Sequence, residues 1–193
     1  MFLLGLLPLV WLVINALMDR LGANPVEVII QDTGQWTLRF LILTLCVTPL
    51  RLLSGWHDLN KRFNLRRLWG MYAFFYGCLH FLSYLWFDQF FEWPTIFNDL
   101  ITRPSMSIGF LAFALMIPLA VTSNSRLIKR LGKQRWKRLH QLIYPISIAG
   151  VIHFWWLAQT KADVQGPLIY AAILAGLLLI RFPPLMNRLA KKK

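Results

Sequence analysis

Six apolar stretches divide the chain, approximately 2–18, 36–53, 68–87, 105–121, 141–158 and 167–183, and only short polar loops separate them. About 20 helical residues cross the hydrocarbon core of a bilayer, so each stretch is close to the length of a membrane span. With 57% of its residues hydrophobic, the chain is too apolar to close around one water-soluble core. The expected fold is therefore all-α: an integral membrane bundle of six transmembrane helices, forming a single domain over 1–193. The first stretch starts right after the initiating methionine, which suggests a short or trimmed start. It lacks the basic lead and small-residue cleavage site of a secretory signal, so it reads as the first membrane helix.

A net charge of +13 would suit nucleic-acid binding if it belonged to a folded basic domain, but here it is split into blocks between the apolar stretches. One block holds Arg51, Lys61, Arg62, Arg66 and Arg67. A second holds Arg126, Lys129, Arg130, Lys133, Arg135, Lys137 and Arg138, and the tail adds Arg181, Arg188, Lys191, Lys192 and Lys193. The alternate loops carry Asp19, Glu27 and Asp32, then Asp88, Glu92 and Asp99, then Asp163, against Arg20, Arg103 and Lys161. The positive-inside rule puts the three basic segments, and with them both termini, in the cytoplasm. No loop is long enough for an independent soluble domain, and no GxGxxG, Walker or nucleophile-elbow pattern occurs, so nucleotide binding and hydrolysis belong to other polypeptides. Cys46 and Cys78 sit among apolar neighbours without a CxxC companion and read as reduced thiols.

An imidazole within a membrane span is costly to hide and is a functional candidate by default. His80 lies in the third stretch, and His140 and His153 lie at the start and within the fifth. The third and fifth spans run in the same direction, so depth can be counted from their basic ends. His80 is twelve residues beyond Leu68, and His153 thirteen beyond His140, which places both about 18–20 Å from the inner surface at about 1.5 Å per residue. Two imidazoles at one depth on neighbouring helices can hold a haem iron from both sides. Leu79, Phe81, Leu82, Ile152, Phe154, Trp155 and Trp156 supply an apolar surround of the kind a porphyrin needs, and are equally expected of any packed helix.

His140 and His153 are separated by roughly 220° on an ideal helix, so they share a face only if Pro145 kinks the segment. His80 with His153 is the stronger pair. Arg66, fourteen residues before His80, falls on nearly the same face of the helix and suits a propionate or a phosphate through its forked donors. Arg103, just before Pro104, suits either an outer propionate or an interfacial anchor. His57, beside Asp58 in a basic loop, reads as a residue at headgroup level.

Three groups of residues also carry a resemblance: Arg66-Arg67-Leu68-Trp69-Gly70 running on to Leu79-His80, then Leu100-Ile101-Thr102-Arg103-Pro104, then Trp136 through Leu139-His140 to Ile152-His153. Together with Gly5-Leu6-Leu7-Pro8 and Pro167-Leu168-Ile169-Tyr170-Ala171, they resemble the haem-binding membrane subunits of bacterial protein-methionine-sulfoxide reductase systems, the MsrQ (YedZ-like) family. That family is similar in turn to the ferric-reductase-like transmembrane domains, in which paired histidines on the third and fifth helices hold b-type haems. Relatives in that wider group commonly carry two histidines on each helix. Here Arg66 stands at the inner position, so the resemblance carries one outer haem on His80 and His153 and leaves His140 to a second haem or a flavin.

The resemblance further implies haem b, one or two per chain, and FMN. It implies a multi-pass protein of the bacterial inner membrane that passes electrons from the quinone pool, or from a cytosolic flavin reductase, to a periplasmic molybdopterin enzyme reducing methionine sulfoxide in proteins. Arg66, Arg67, Lys137 and Arg138 gather near the cytoplasmic ends of the histidine-bearing helices, where a phosphate can be met, although the positive-inside rule alone accounts for them. Two other readings stand beside this one: a transmembrane ferric or metal reductase, and a small transporter or structural membrane protein without redox chemistry.

Overall fold

A computed structural model describes residues 3–54, 64–160 and 163–181, with the side chains of 51–54 left aside. His57, Lys61, Arg62, Lys161, Arg188 and the three terminal lysines lie outside the described residues. Among the described residues the fold is helical without strands. A short 3-10 turn (Leu3–Leu6) leads into α1 (Leu7–Leu17), followed by α2 (Pro25–Ser54) and α3 (Leu65–Ser83), which runs into a π-helical turn (Tyr84–Asp88). Then come α4 (Trp93–Thr102), α5 (Pro104–Val121), α6 (Ser125–Leu131), α7 (Lys133–Leu139), a 3-10 turn (His140–Leu142), α8 (Ile143–Gln159) and α9 (Gln165–Ile180).

Each of the six expected stretches overlaps a helix. By length and composition, Pro104–Val121 and the continuous Lys133–Gln159 are long and apolar enough to cross a membrane, and Leu3–Leu17 and Gln165–Ile180 are shorter apolar helices. α2 starts eleven residues before the expected 36, for a local reason. Asn24 accepts from the backbone N–H of Glu27 (3.3 Å) and donates to its carboxylate (2.9 Å), and Pro25 occupies the first helical position. Gln31, Asp32 and Gln35 make this extension polar, which hides it from a hydropathy reading. Hydroxyls within α2 return to its own carbonyls: Thr33 to Ile29 (2.7 Å), Thr37 to Thr33 (3.0 Å) and Thr44 to Phe40 (2.8 Å). Pro49 cannot supply the helical N–H that the Leu45 carbonyl would receive, and Arg181 donates to that carbonyl from beyond α9. Of the segments expected as loops, Trp93–Thr102, Ser125–Leu131 and Lys133–Leu139 are helical, the last two divided at Gly132 with φ of 76°.

α2 is the central helix. On one side Phe40 and Leu41 pack with Tyr72, Ala73 and Tyr76 of α3, Met116 of α5 and Ile146 of α8. On the other, Leu38, Ile42 and Leu45 meet Val151 of α8 and Leu174 and Leu177 of α9. The Phe40 ring stacks on Tyr72 and Tyr76 at centroid distances of 5.2 and 5.5 Å. Tyr76, 1% exposed, also fastens the N-terminal segment: its hydroxyl donates to the Gly5 carbonyl (2.9 Å) and accepts from the Leu9 N–H (3.1 Å). Tyr76→Phe removes both bonds. It is expected to cost about 1–3 kcal/mol, seen as a lower thermal midpoint of the detergent-purified protein.

Candidate functional site

A partly open, largely apolar cavity of about 730 Å³ is lined mainly by α2, α3, α5 and α8, with α4 and the start of α9 at its edge. Its size suits a large organic ligand. His80 enters from α3 and His153 from α8, and their ring centroids stand 6.1 Å apart with the planes at 79°. Of the aromatic surround expected from the sequence, Phe81 and Phe154 line the cavity, whereas Leu82 and Trp156 face outward.

Both rings are held in the same way. His80 Nδ1 donates to the carbonyl of Ile30 on α2 (2.9 Å), and His153 Nδ1 donates to the carbonyl of Ser105 on α5 (2.7 Å). A carbonyl only accepts, so each Nδ1 carries the proton and each Nε2 keeps its lone pair. This is the arrangement that fixes a ligating histidine's tautomer and raises its basicity.

The donor set distinguishes a haem from a bare ion. Among the described residues no three His, Cys, Asp or Glu side chains gather to hold a metal, and two imidazoles fall short of the four ligands an ion such as zinc needs. A porphyrin brings four nitrogens of its own and needs only two axial ligands from the protein. With ring centroids 6.1 Å apart in one cavity, His80 and His153 would supply those two ligands. The histidines and the cavity therefore fit a bis-imidazole haem.

At one end the cavity is polar, rimmed by Glu27, Tyr84, Asp88 and Asp163. Arg103 stands near this end but pairs with the buried Asp99 (3.2 Å) and is not among the cavity's lining residues.

At the other end the remaining candidates are dispersed. His140 occupies the 3-10 turn before α8, donates through Nδ1 to the Trp136 carbonyl (3.1 Å) and lies against the Trp136 ring at 4.0 Å. Among the described residues its buried Nε2 has no hydrogen-bond partner of normal geometry. The change from 3-10 to α-helix separates it from His153, and Pro145 sits in the first turn of α8, where a missing N–H costs nothing. Arg66, in the first turn of α3, donates to the Thr48 hydroxyl, and Arg181 reaches the same hydroxyl at 3.2 Å. Arg67 and Arg138 are exposed on the same end.

The sequence reading counts Asp32 among the charges of an outer loop and gives Arg39 no role. Both line a second, apolar cavity of about 840 Å³ between α1, α2 and α3, together with Trp36 and Tyr72. Arg39 lies over the Trp36 ring at 4.5 Å, donates to Gln35 (2.8 Å) and reaches the Tyr170 hydroxyl on α9 (2.9 Å). For Arg39, a charged residue within the 36–53 apolar stretch, that position was the available signal.

Residues 33–151 match the family described as "Ferric reductase like transmembrane component". The protein-methionine-sulfoxide reductase heme-binding subunit MsrQ of Herminiimonas arsenicoxydans is 49% identical over 94% of this chain and 82% of its own length. The chain belongs to the MsrQ family. The MsrQ proteins of Rhodospirillum rubrum, 45% identical over 97% of this chain and 88% of the relative, and of Ralstonia nicotianae, 45% identical over 93% and 82%, extend the likeness. No solved structure matches. The segment matched to the ferric reductase family contains His80 and His140 and stops two residues before His153, whose place opposite His80 comes from the fold.

Proposed function

We propose that the protein is the haem b-bearing electron conduit of a methionine-sulfoxide reductase system of the bacterial inner membrane. The observation that carries this reading is the pair of imidazoles 6.1 Å apart, each with Nδ1 anchored on a carbonyl and Nε2 left as a ligand. When bound, haem b would supply a reversible one-electron couple, and His80 and His153, as its two protein ligands, would favour electron transfer over oxygen chemistry. Six spans with both termini inside put the basic ends of α3 and α7 in the cytoplasm and the rim of Glu27, Asp88 and Asp163 outside. That acidic rim then faces the periplasm, where the molybdopterin enzyme that reduces methionine sulfoxide is the acceptor.

On the donor side the α1–α2–α3 cavity favours a quinol over a cytosolic flavin reductase. It is apolar, carries one carboxylate and one guanidinium, and lies on the face of α2 roughly opposite Gly34, which is against His80. The inner arginines Arg66, Arg67 and Arg138 suit the phosphate of FMN, and His140, with its buried Nε2, suits a second haem or that flavin. Arg103 is taken up by Asp99 and anchors the outer interface.

The test is a low-temperature electron paramagnetic resonance spectrum of the oxidised, purified protein, with haem quantified as the pyridine haemochrome. A low-spin ferric signal is expected, since His80 and His153 would both be nitrogen ligands, each held on a carbonyl. A high-spin signal, or no haem at all after expression with ample haem supply, would refute the assignment.

A further inference from the structure

We propose that Gly34 and Gly109 are positioning residues for the two haem ligands, each leaving uncovered the helix carbonyl that grips the imidazole packed against it. The argument starts from helix geometry. Every Cα–Cβ bond tilts towards the helix N-terminus, so a side chain covers the turn before its own Cα. The residue most able to mask a carbonyl at position i is therefore the one at i+4, which also donates the helical N–H to it. A carbonyl has a second lone pair for another donor, provided that donor can approach.

Both anchors have this form. Ile30 accepts from His80, and the residue four further on is Gly34. Ser105 accepts from His153, and the residue four further on is Gly109. The two sites use different helices, α2 with α3 and α5 with α8, yet repeat the same spacing and the same ring atoms. A Cβ at position 34 would stand 3.0 Å from Cε1 and Nδ1 of His80, and one at 109 would stand 2.7 Å from Cε1 and Nδ1 of His153. The first is tight enough that the ring must yield by a few tenths of an ångström. The second is closer than real side chains approach, so the ring must leave its place.

Contrast with other glycines shows that this is not a general property of the bundle. Gly77, on α3 beside the same cavity, would meet its neighbours at an ordinary 3.6 Å, and Gly70 and Gly176 would meet nothing within 4 Å. Among the described residues the close approaches fall on the two ligand rings, on the Tyr72 ring beside Gly5, which belongs to the seating of the N-terminal segment, and more mildly on the outer edge of the Phe154 ring beside Gly166 (3.3 Å). Backbone freedom is not the reason either, since neither Gly34 nor Gly109 has a positive φ. What each supplies is the absence of one methyl group.

The consequence is graded. A methyl at 109 displaces the His153 ring and breaks its 2.7 Å anchor, whereas a methyl at 34 tilts the His80 ring and weakens its 2.9 Å anchor. Losing such a support weakens metal binding by roughly 10- to 100-fold. Gly109→Ala should reach that range in haem retention, and Gly34→Ala should fall short of it while changing the anisotropy of the low-spin ferric signal, because the angle between the ring planes changes. Gly176→Ala should leave both readouts as in the wild type.

The inference rests on the haem reading for its spectroscopic half only, and a double-mutant cycle on the full chain in detergent tests the other half without haem. Gly109→Ala should lower the thermal midpoint of the otherwise wild-type protein and have no further effect in a His153→Gly background, where the ring it strikes is gone. An equal drop in both backgrounds would overturn the inference, because the methyl would then be striking something else. Unchanged haem retention and an unchanged ferric signal in Gly109→Ala would overturn it too. A wild-type protein without haem would instead sink the reading of the site, and the cycle would still report on the contact.

Discussion

His80→Ala and His153→Ala are each expected to remove the haem held in the α2–α3–α5–α8 cavity, with the dithionite-reduced b-type absorbance of that site falling at least roughly tenfold. Loss of one axial ligand leaves the partner imidazole anchored on its carbonyl but with no opposing grip, and the 6.1 Å spacing cannot be remade from another side chain. No third histidine, cysteine or carboxylate joins the pair among the described residues. His140→Ala belongs to a different site: its ring lies on Trp136 and its Nδ1 bonds within its own segment, so the outer haem should survive that change intact. The pyridine haemochrome of the three variants decides the matter. Equal losses in all three would mean that His140 supports the same haem, and a full spectrum in His80→Ala or His153→Ala would overturn the ligand assignment.

Much of this architecture was legible because hydropathy and charge are properties of segments. The apolar stretches marked the helices, and counting from the basic ends brought His80 and His153 to the same depth, where the fold sets their rings together. What escaped the sequence was whatever depends on a single contact. Ile30 and Ser105 act through backbone carbonyls, which have no residue-specific signature, and Gly34 and Gly109 act by lacking a side chain. The polar start of α2 was hidden for a related reason. Gln31, Asp32 and Gln35 lower the hydropathy of a helix whose capping by Asn24 is a purely local hydrogen-bonding matter. Arg39 was overlooked because charge was read as a feature of loops, whereas here a guanidinium inside a helix is satisfied by Gln35, Tyr170 and the face of Trp36.

Asp32→Asn should separate quinol-driven from chemical reduction. Oxidising a quinol to a quinone releases two electrons and two protons, and the protons need an acceptor where the ring binds. In the α1–α2–α3 cavity Asp32 is the only carboxylate among the lining residues; the Trp36 side chain hydrogen-bonds to it, and Arg39 beside them supplies N–H donors suited to a quinone oxygen. Asparagine keeps the shape and a carbonyl oxygen but accepts no proton. A positioned proton acceptor is worth roughly 10²- to 10⁴-fold, so haem reduction by a quinol in Asp32→Asn membranes should slow by about 10²-fold or more. Dithionite needs no such acceptor, and its reduction of the same haem should be unaffected, which rules out damage to the haem site as the cause. Asp32 is two residues from Gly34 along α2 but about 160° round the helix from it, so the substitution leaves the His80 anchor untouched. An unchanged quinol rate would move the donor to the cytoplasmic end, where Arg66, Arg67 and Arg138 await a flavin.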